Sequence, residues 1–143
     1  MKFRPPIAIA VVLTMAFAGC SSENADDGTA DSGATIESYI SAYNEGDLDA
    51  VMTHFTQESV IVGHPTDFDP QADDIYSIER LHKEDLRFDQ IYVISNVVVN
   101  DDTVTWDSVW GEDGCVKGQS AVVKDGTILT WTWGEFVDCS EIG

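Results

Sequence analysis

The chain has 143 residues, 43% of them hydrophobic and 10% aromatic with four tryptophans. That supports one folded domain plus a short appendage and excludes disorder as the dominant state. Seven Lys and Arg stand against 26 Asp and Glu, a formal charge of -19, which repels phosphate backbones and sets nucleic-acid binding aside.

At the N-terminus, Lys2 and Arg4 precede an uncharged apolar run, residues 7–17, that ends in Ala18 and Gly19 before Cys20. This is a secretory signal pattern, and the run is shorter than the roughly 20 apolar residues a spanning helix needs. The ending Phe17-Ala18-Gly19-Cys20, followed by Ser21-Ser22, resembles the lipobox of bacterial lipoproteins, with Phe17 where Leu is usual. The resemblance implies a cleaved signal peptide over 1–19 and lipid on Cys20. The protein would then be anchored to a membrane of the cell envelope, facing the extracytoplasmic side. An ordinary signal-peptidase site nearby, leaving Cys20 as a spare thiol, is the alternative. Loss of Lys2 and Arg4 leaves five basic against 26 acidic side chains.

Residues 20–34 read as a flexible acidic tether, since the stretch after Cys20 carries Glu23, Asp26, Asp27 and Asp31 and no aromatic residue. With Cys20 lipidated, Cys115 and Cys139 remain as an even pair in an oxidising compartment, and one disulfide accounts for them. No zinc spacing and no CxxC motif surrounds them.

The domain is expected over 35–143. Ile36, Tyr39, Ile40 and Tyr43 share one helical stripe, with Thr35 as its cap and Gly46 as its stop. Asp47 caps a second helix through Leu48, Val51, Met52 and Phe55. Residues 60–62 read as a strand ended by Gly63, His64 and Pro65, and Ile75, Ile78, Leu81 and His82 as a third helix over 74–82. Strands follow over 88–99, 103–110, 116–123 and 127–136, separated by turns at Asn100-Asp101-Asp102, 111–114 and Lys124-Asp125-Gly126. Helices first and an antiparallel meander afterwards make an α+β domain. Alternation puts Val104, Trp106, Ser108 and Trp110 on one face of their strand and Leu129, Trp131 and Trp133 on one face of the last. A curved sheet wrapped on the helices would cover both faces.

The run from Tyr39 to Phe55, with Gly46-Asp47-Leu48 at its centre, resembles the opening helices of the nuclear-transport-factor-2-like superfamily, especially its SnoaL-like members. Val60-Ile61-Val62 and the Lys124-Asp125-Gly126 turn before a Trp-rich strand continue the match in order. The resemblance implies a cone-shaped fold, helices packed on a curved antiparallel sheet around a cavity. It also implies a pocket mouth near His64 and homodimers through the open sheet face. It does not select an activity, because the superfamily spans cyclases, isomerases, dehydratases and scaffolds.

Tyr39, Tyr43, Tyr92, Trp106, Trp110, Trp131 and Trp133 are candidates to line a pocket for a small apolar or aromatic molecule, although core packing would use the same residues. His64 is the candidate base or ligand anchor, against the simpler reading of a loop histidine in solvent. His54 reads as a surface or helix-end residue, and His82 as a partner of its helix C-terminus. Glu135, in phase with Trp131 and Trp133, is the candidate pocket carboxylate; Asp107 alternates away. Asp67, Asp69, Asp73 and Asp74 lack the order of a calcium loop and read as a solvated acidic loop, so no metal and no cofactor is expected. No nucleophile elbow, zinc motif or phosphate loop occurs. The favoured function is a non-catalytic, membrane-tethered domain that binds a small molecule or a protein. The alternative is a small cofactor-independent enzyme of cyclase or isomerase type.

Overall fold

The computed structural model describes residues 27–64, 71–111 and 114–142, with side chains described from residue 32. The signal segment, Cys20, Asp67 and Asp69 lie outside the described residues. Helix α1 (Asp27–Asn44) buries the stripe Ile36, Tyr39, Ile40 and Tyr43. Gly46, at φ 72°, turns the chain out of it, and the Asp47 carboxylate accepts from Ala50 N to start α2 (Leu48–Met52). After strands β1 (Val60–Val62) and β2 (Gln71–Ala72) comes α3 (Ile75–Asp85). There Asp74 and Ser77 form a reciprocal capping box.

Helix α1 begins earlier than its expected cap at Thr35, and residues 27–34 belong to the helix rather than to a tether. Residues as poor in helix propensity as Gly28 and Gly33 would not hold a helix alone. Packing does: a Cβ on Gly33 would stand 3.2 Å from Val99 Cγ2, and Ser32 and Thr35 are buried.

The rest is β3 (Tyr92–Asn100), β4 (Thr103–Trp110), β5 (Gly114–Lys124), β6 (Thr127–Thr132) and β7 (Glu135–Val137). The sheet runs in the order β2, β1, β6, β5, β4, β3, with β7 paired to β5. It is antiparallel except that β1 lies parallel to β6. Asp125 and Gly126, at φ 51° and 74°, make the left-handed turn that a tight β5–β6 hairpin requires. Register shifts in β3, β4 and β5 bend the sheet around the helices. Asp107 braces this bend, accepting from Gly118 N at 2.8 Å and Asn96 Nδ2 at 2.9 Å. Those hydrogen bonds hold its carboxyl below the usual range.

Three expectations are corrected. The segment 86–88 is a short 3-10 turn with Phe88 exposed, and left-handed Asp89 delays β3 to Tyr92. The last strand breaks after Thr132: β7 pairs with Cys115, Val116 and Lys117 below the Gly118 bulge of β5, whereas β6 pairs above it. The register shift at Val122 and Val123 also places Ile128 in the core beside Trp131, so Leu129 does not share the Trp131 face. Cys115 of β5 is bonded to Cys139 of the 3-10 turn Cys139–Glu141.

The core lies between α1, α3 and the inner sheet face, with Trp106, Val104, Ile61, Val123 and Ile128 almost fully buried. Tyr92 sits at the free edge of β3, where its backbone N–H and C=O are both bound by the Asn44 side chain at 2.7 and 2.9 Å. Asn44 thus takes the place of a neighbouring strand there.

Candidate functional site

Gly63, at φ 76°, bends the chain after β1, and Trp133 N donates to Val62 O at 2.8 Å. His64 is thereby turned inward and left only 2% exposed, its ring 4.5 Å from that of Trp133 and 6.4 Å from that of Trp110. The solvent-exposed loop histidine is therefore not what forms. Opposite it, α3 presents Ile78, Leu81, His82 and Asp85 along one buried stripe. Asp85 Oδ2 stands 3.0 Å from His64 Nε2. The contact is off the line of a hydrogen bond, so it is an ion pair only when the imidazole carries a proton. Asp85 was missed in the sequence, although it occupies the next position of the stripe that begins at Ile78.

Aromatic hydroxyls and indoles surround this pair. Tyr39 OH bonds His82 Nε2 at 2.8 Å, and His82 Nδ1 bonds Ile78 O at 2.9 Å. A carbonyl only accepts, so Nδ1 carries the hydrogen and Nε2 accepts from the phenol. Burial pushes the His82 pKa down to about 4, which keeps the ring neutral. Tyr92 is pushed up to about 12 by burial. Tyr39 and Tyr43 are raised too, mainly by burial and in part by the negative field of Asp85. All three phenols therefore remain hydrogen-bond donors.

Beneath them, Gln119 Oε1 accepts from Tyr92 OH at 2.9 Å and Trp131 Nε1 at 3.1 Å, while its amide nitrogen donates to Ser108. Trp106 Nε1 donates to Tyr92 OH and Trp110 Nε1 to Tyr43 OH, at 3.2 and 3.0 Å. Among the described residues three buried nitrogens have no such partner: both ring nitrogens of His64, of which Nε2 faces Asp85, and Trp133 Nε1 on the adjacent ring.

The structure thus gathers Tyr39, Tyr43, His64, Tyr92, Trp106, Trp110, Trp131 and Trp133 on the inner side of the fold. The deeper rings are in mutual contact, Trp131 with Tyr39 and Trp133 at 5.2 Å and with Trp106 at 6.0 Å. Trp110 also forms a wall of an open groove of about 810 Å³, together with Gln90, Ile91, Val93, Val109 and Phe136.

Other candidates lie elsewhere. Glu135 is exposed on β7, because the break at Gly134 destroys its phase with Trp131 and Trp133. His54 is buried, bonded to Ala50 O and Ser38 Oγ, and so is neither a surface residue nor part of the site. His82 faces the core and Tyr39 instead of acting chiefly at its helix terminus. Asp73 is exposed, and Asp74 is used as the α3 cap. Among the described residues, no group of three or more His, Cys, Asp or Glu is placed to hold a metal.

No family model and no curated protein matches the chain. Solved structures do. A SnoaL-like protein of unknown function from Burkholderia thailandensis is similar at a TM-score of 0.64 and 15% identity, over 76% of this chain and 95% of that one. An NTF2-like protein of unknown function from Cytophaga hutchinsonii gives 0.58 and 14%, over 74% and 89%. The epoxide hydrolase/cyclase-like enzyme SalBIII, which acts in pyran ring formation in the polyether salinomycin, gives 0.58 and 17%, over 73% and 92%. At such identities the likeness carries the fold alone. The chain has the α+β, NTF2-like and SnoaL-like fold, its helices packed on a curved mixed sheet.

Proposed function

We propose that this is the extracytoplasmic domain of a lipid-anchored protein and that it binds a small apolar or aromatic molecule through one polar atom. The observation that carries the binding reading is the pair of unpartnered buried nitrogens, His64 Nδ1 and Trp133 Nε1, inside an aromatic shell. A buried polar atom without a partner costs free energy that a ligand oxygen would recover. The shell supplies the apolar contact. The anchor rests on the signal pattern and Cys20.

A panel of neutral aromatic alcohols and ketones, followed by tryptophan fluorescence and thermal unfolding, tests the binding. A ligand at a hundredfold excess over Kd should add about 2.7 kcal/mol of stability, and His64→Ala should weaken it. No quenching across the panel would refute the site, and binding indifferent to His64→Ala would refute His64 as the residue that anchors the ligand. Fatty-acid labelling and detergent phase partitioning test the anchor, with Cys20→Ala as the unlabelled control.

The His64 and Asp85 pair specifically favours a second reading, acid–base catalysis of the isomerase or cyclase kind. Asp85 would orient the imidazole and balance its charge when it takes a proton. On that reading His64→Ala should lower turnover by about 10²- to 10⁴-fold while ligand binding persists.

A further inference from the structure

We infer that the His64 site stands at the membrane-distal end of the domain and that its ligand arrives from the aqueous phase, not from the bilayer. The inference rests on the reading that Cys20 carries lipid. It is carried by the geometry of α1, which measures the domain from the anchor to the site.

Helix α1 starts at Asp27, only seven peptide steps after Cys20. Fully extended, seven steps reach about 25 Å. The helix runs antiparallel to β3. Its beginning lies against the end of that strand, where Gly33 meets Val99, and its end lies against the start, where Asn44 binds Tyr92. At that far end Tyr43 OH accepts from Trp110 Nε1, and Trp110 in turn lies edge-on to His64 and Trp133. Strand β1 delivers His64 to the same end, since it runs parallel to β6 and both finish beside Trp133. From Asp27 to Tyr43 is sixteen helical steps, about 24 Å along the axis.

An inverted domain, with its site on the bilayer, would therefore hold Asp27 about 24 Å above the surface, which uses essentially the whole reach of the tether. Full extension fixes each of seven backbone units in one extended well, an entropic cost that the opposite orientation does not require. The near end of the domain consists of the β3–β4 and β5–β6 turns, held together by Val123 N donating to Asp102 O at 2.7 Å. They expose Asp101, Asp102 and Asp125 against Lys124. The opposite end exposes Glu45, Asp47 and Asp89, so an anionic surface repels both ends and the reach of the tether, not charge, sets the orientation. The bilayer is thus the wrong side from which to reach His64, and a water-borne molecule is the ligand class that the arrangement admits.

The mature protein beginning at lipidated Cys20, ¹⁵N-labelled and assembled into phosphatidylcholine nanodiscs bearing a gadolinium-chelating lipid, tests this without any ligand. Paramagnetic broadening should be several-fold stronger at the amides of Asp101 and Asp125 than at those of His64, Gly111 and Trp133. Inserting about fourteen Gly and Ser residues after Ser22 should flatten that gradient, because the longer tether makes inversion reachable. Cys20→Ala should abolish the broadening throughout. A flat or reversed gradient in the wild-type protein, a gradient that the insertion leaves unchanged, or broadening that survives Cys20→Ala would each overturn the inference. Failure of the binding reading would appear separately, in the ligand panel.

Discussion

Tyr39 on the first helix and His82 on the third meet in the core at 2.8 Å, the phenol donating to a ring nitrogen whose imidazole is held neutral. The pair joins two helices by a fully buried hydrogen bond and makes the fold sensitive to acid. Above pH 6.5 the imidazole is neutral folded or unfolded. As pH falls from 6.5 toward 4, the unfolded chain takes up a proton that the folded state refuses. Stability should fall over that window by about 3 kcal/mol. Urea unfolding between pH 7 and 4.5 measures it, with His82→Gln as the reference that lacks this drop. Tyr39→Phe, which leaves His82 Nε2 buried without a donor, should cost about 1 to 3 kcal/mol at pH 7. An unchanged urea midpoint for that variant would contradict the hydrogen bond.

The His64 and Asp85 contact should behave as one unit. Each side chain is buried and lies at the end of a different element. Removing one partner leaves the other buried and uncompensated, so Asp85→Asn and His64→Ala are each expected to cost about 3 kcal/mol. The double variant should cost less than the sum, by more than about 1 kcal/mol. Strict additivity in a double-mutant cycle would show that the two groups do not interact.

The Cys115 to Cys139 bond, spanning 24 residues, pins the C-terminal turn to β5. Replacing both cysteines by alanine should lower stability by about 3 kcal/mol through the freed unfolded chain. Thiol titration of the denatured, unreduced protein should find neither cysteine reactive. Two titrating thiols would disprove the bridge.

Gly134 permits the crossing between β6 and β7. A Cβ there would collide with Lys117 O and stand 2.9 Å from Gln119 N, both backbone atoms that cannot swing aside. Gly134→Ala should therefore push β7 off β5 and cost about 3 kcal/mol, at the upper end of ordinary overpacking. The loss should appear as faster hydrogen exchange at Cys115, Lys117 and Val137. Wild-type exchange rates in the variant would mean that the crossing is looser than this geometry requires.

Local patterns determined much of the architecture. The stripe Ile36, Tyr39, Ile40 and Tyr43, the cap at Asp47 and the turn at Asp125-Gly126 act through neighbours a few residues apart, and spacing alone exposes them. The even cysteine pair is legible for the same reason, because counting needs no geometry. The early start of α1, the break at Gly134 and the phase shift that brings Ile128 inward depend instead on contacts with β3 and β5, which are distant in sequence. The site divides in the same way. The sequence marked the histidine and the aromatic rings as chemically able residues. Only the folded chain decided that His64 turns inward onto Asp85 while Glu135 turns out to solvent. A carboxylate's role is set by what it is buried against, and that neighbour comes from another element.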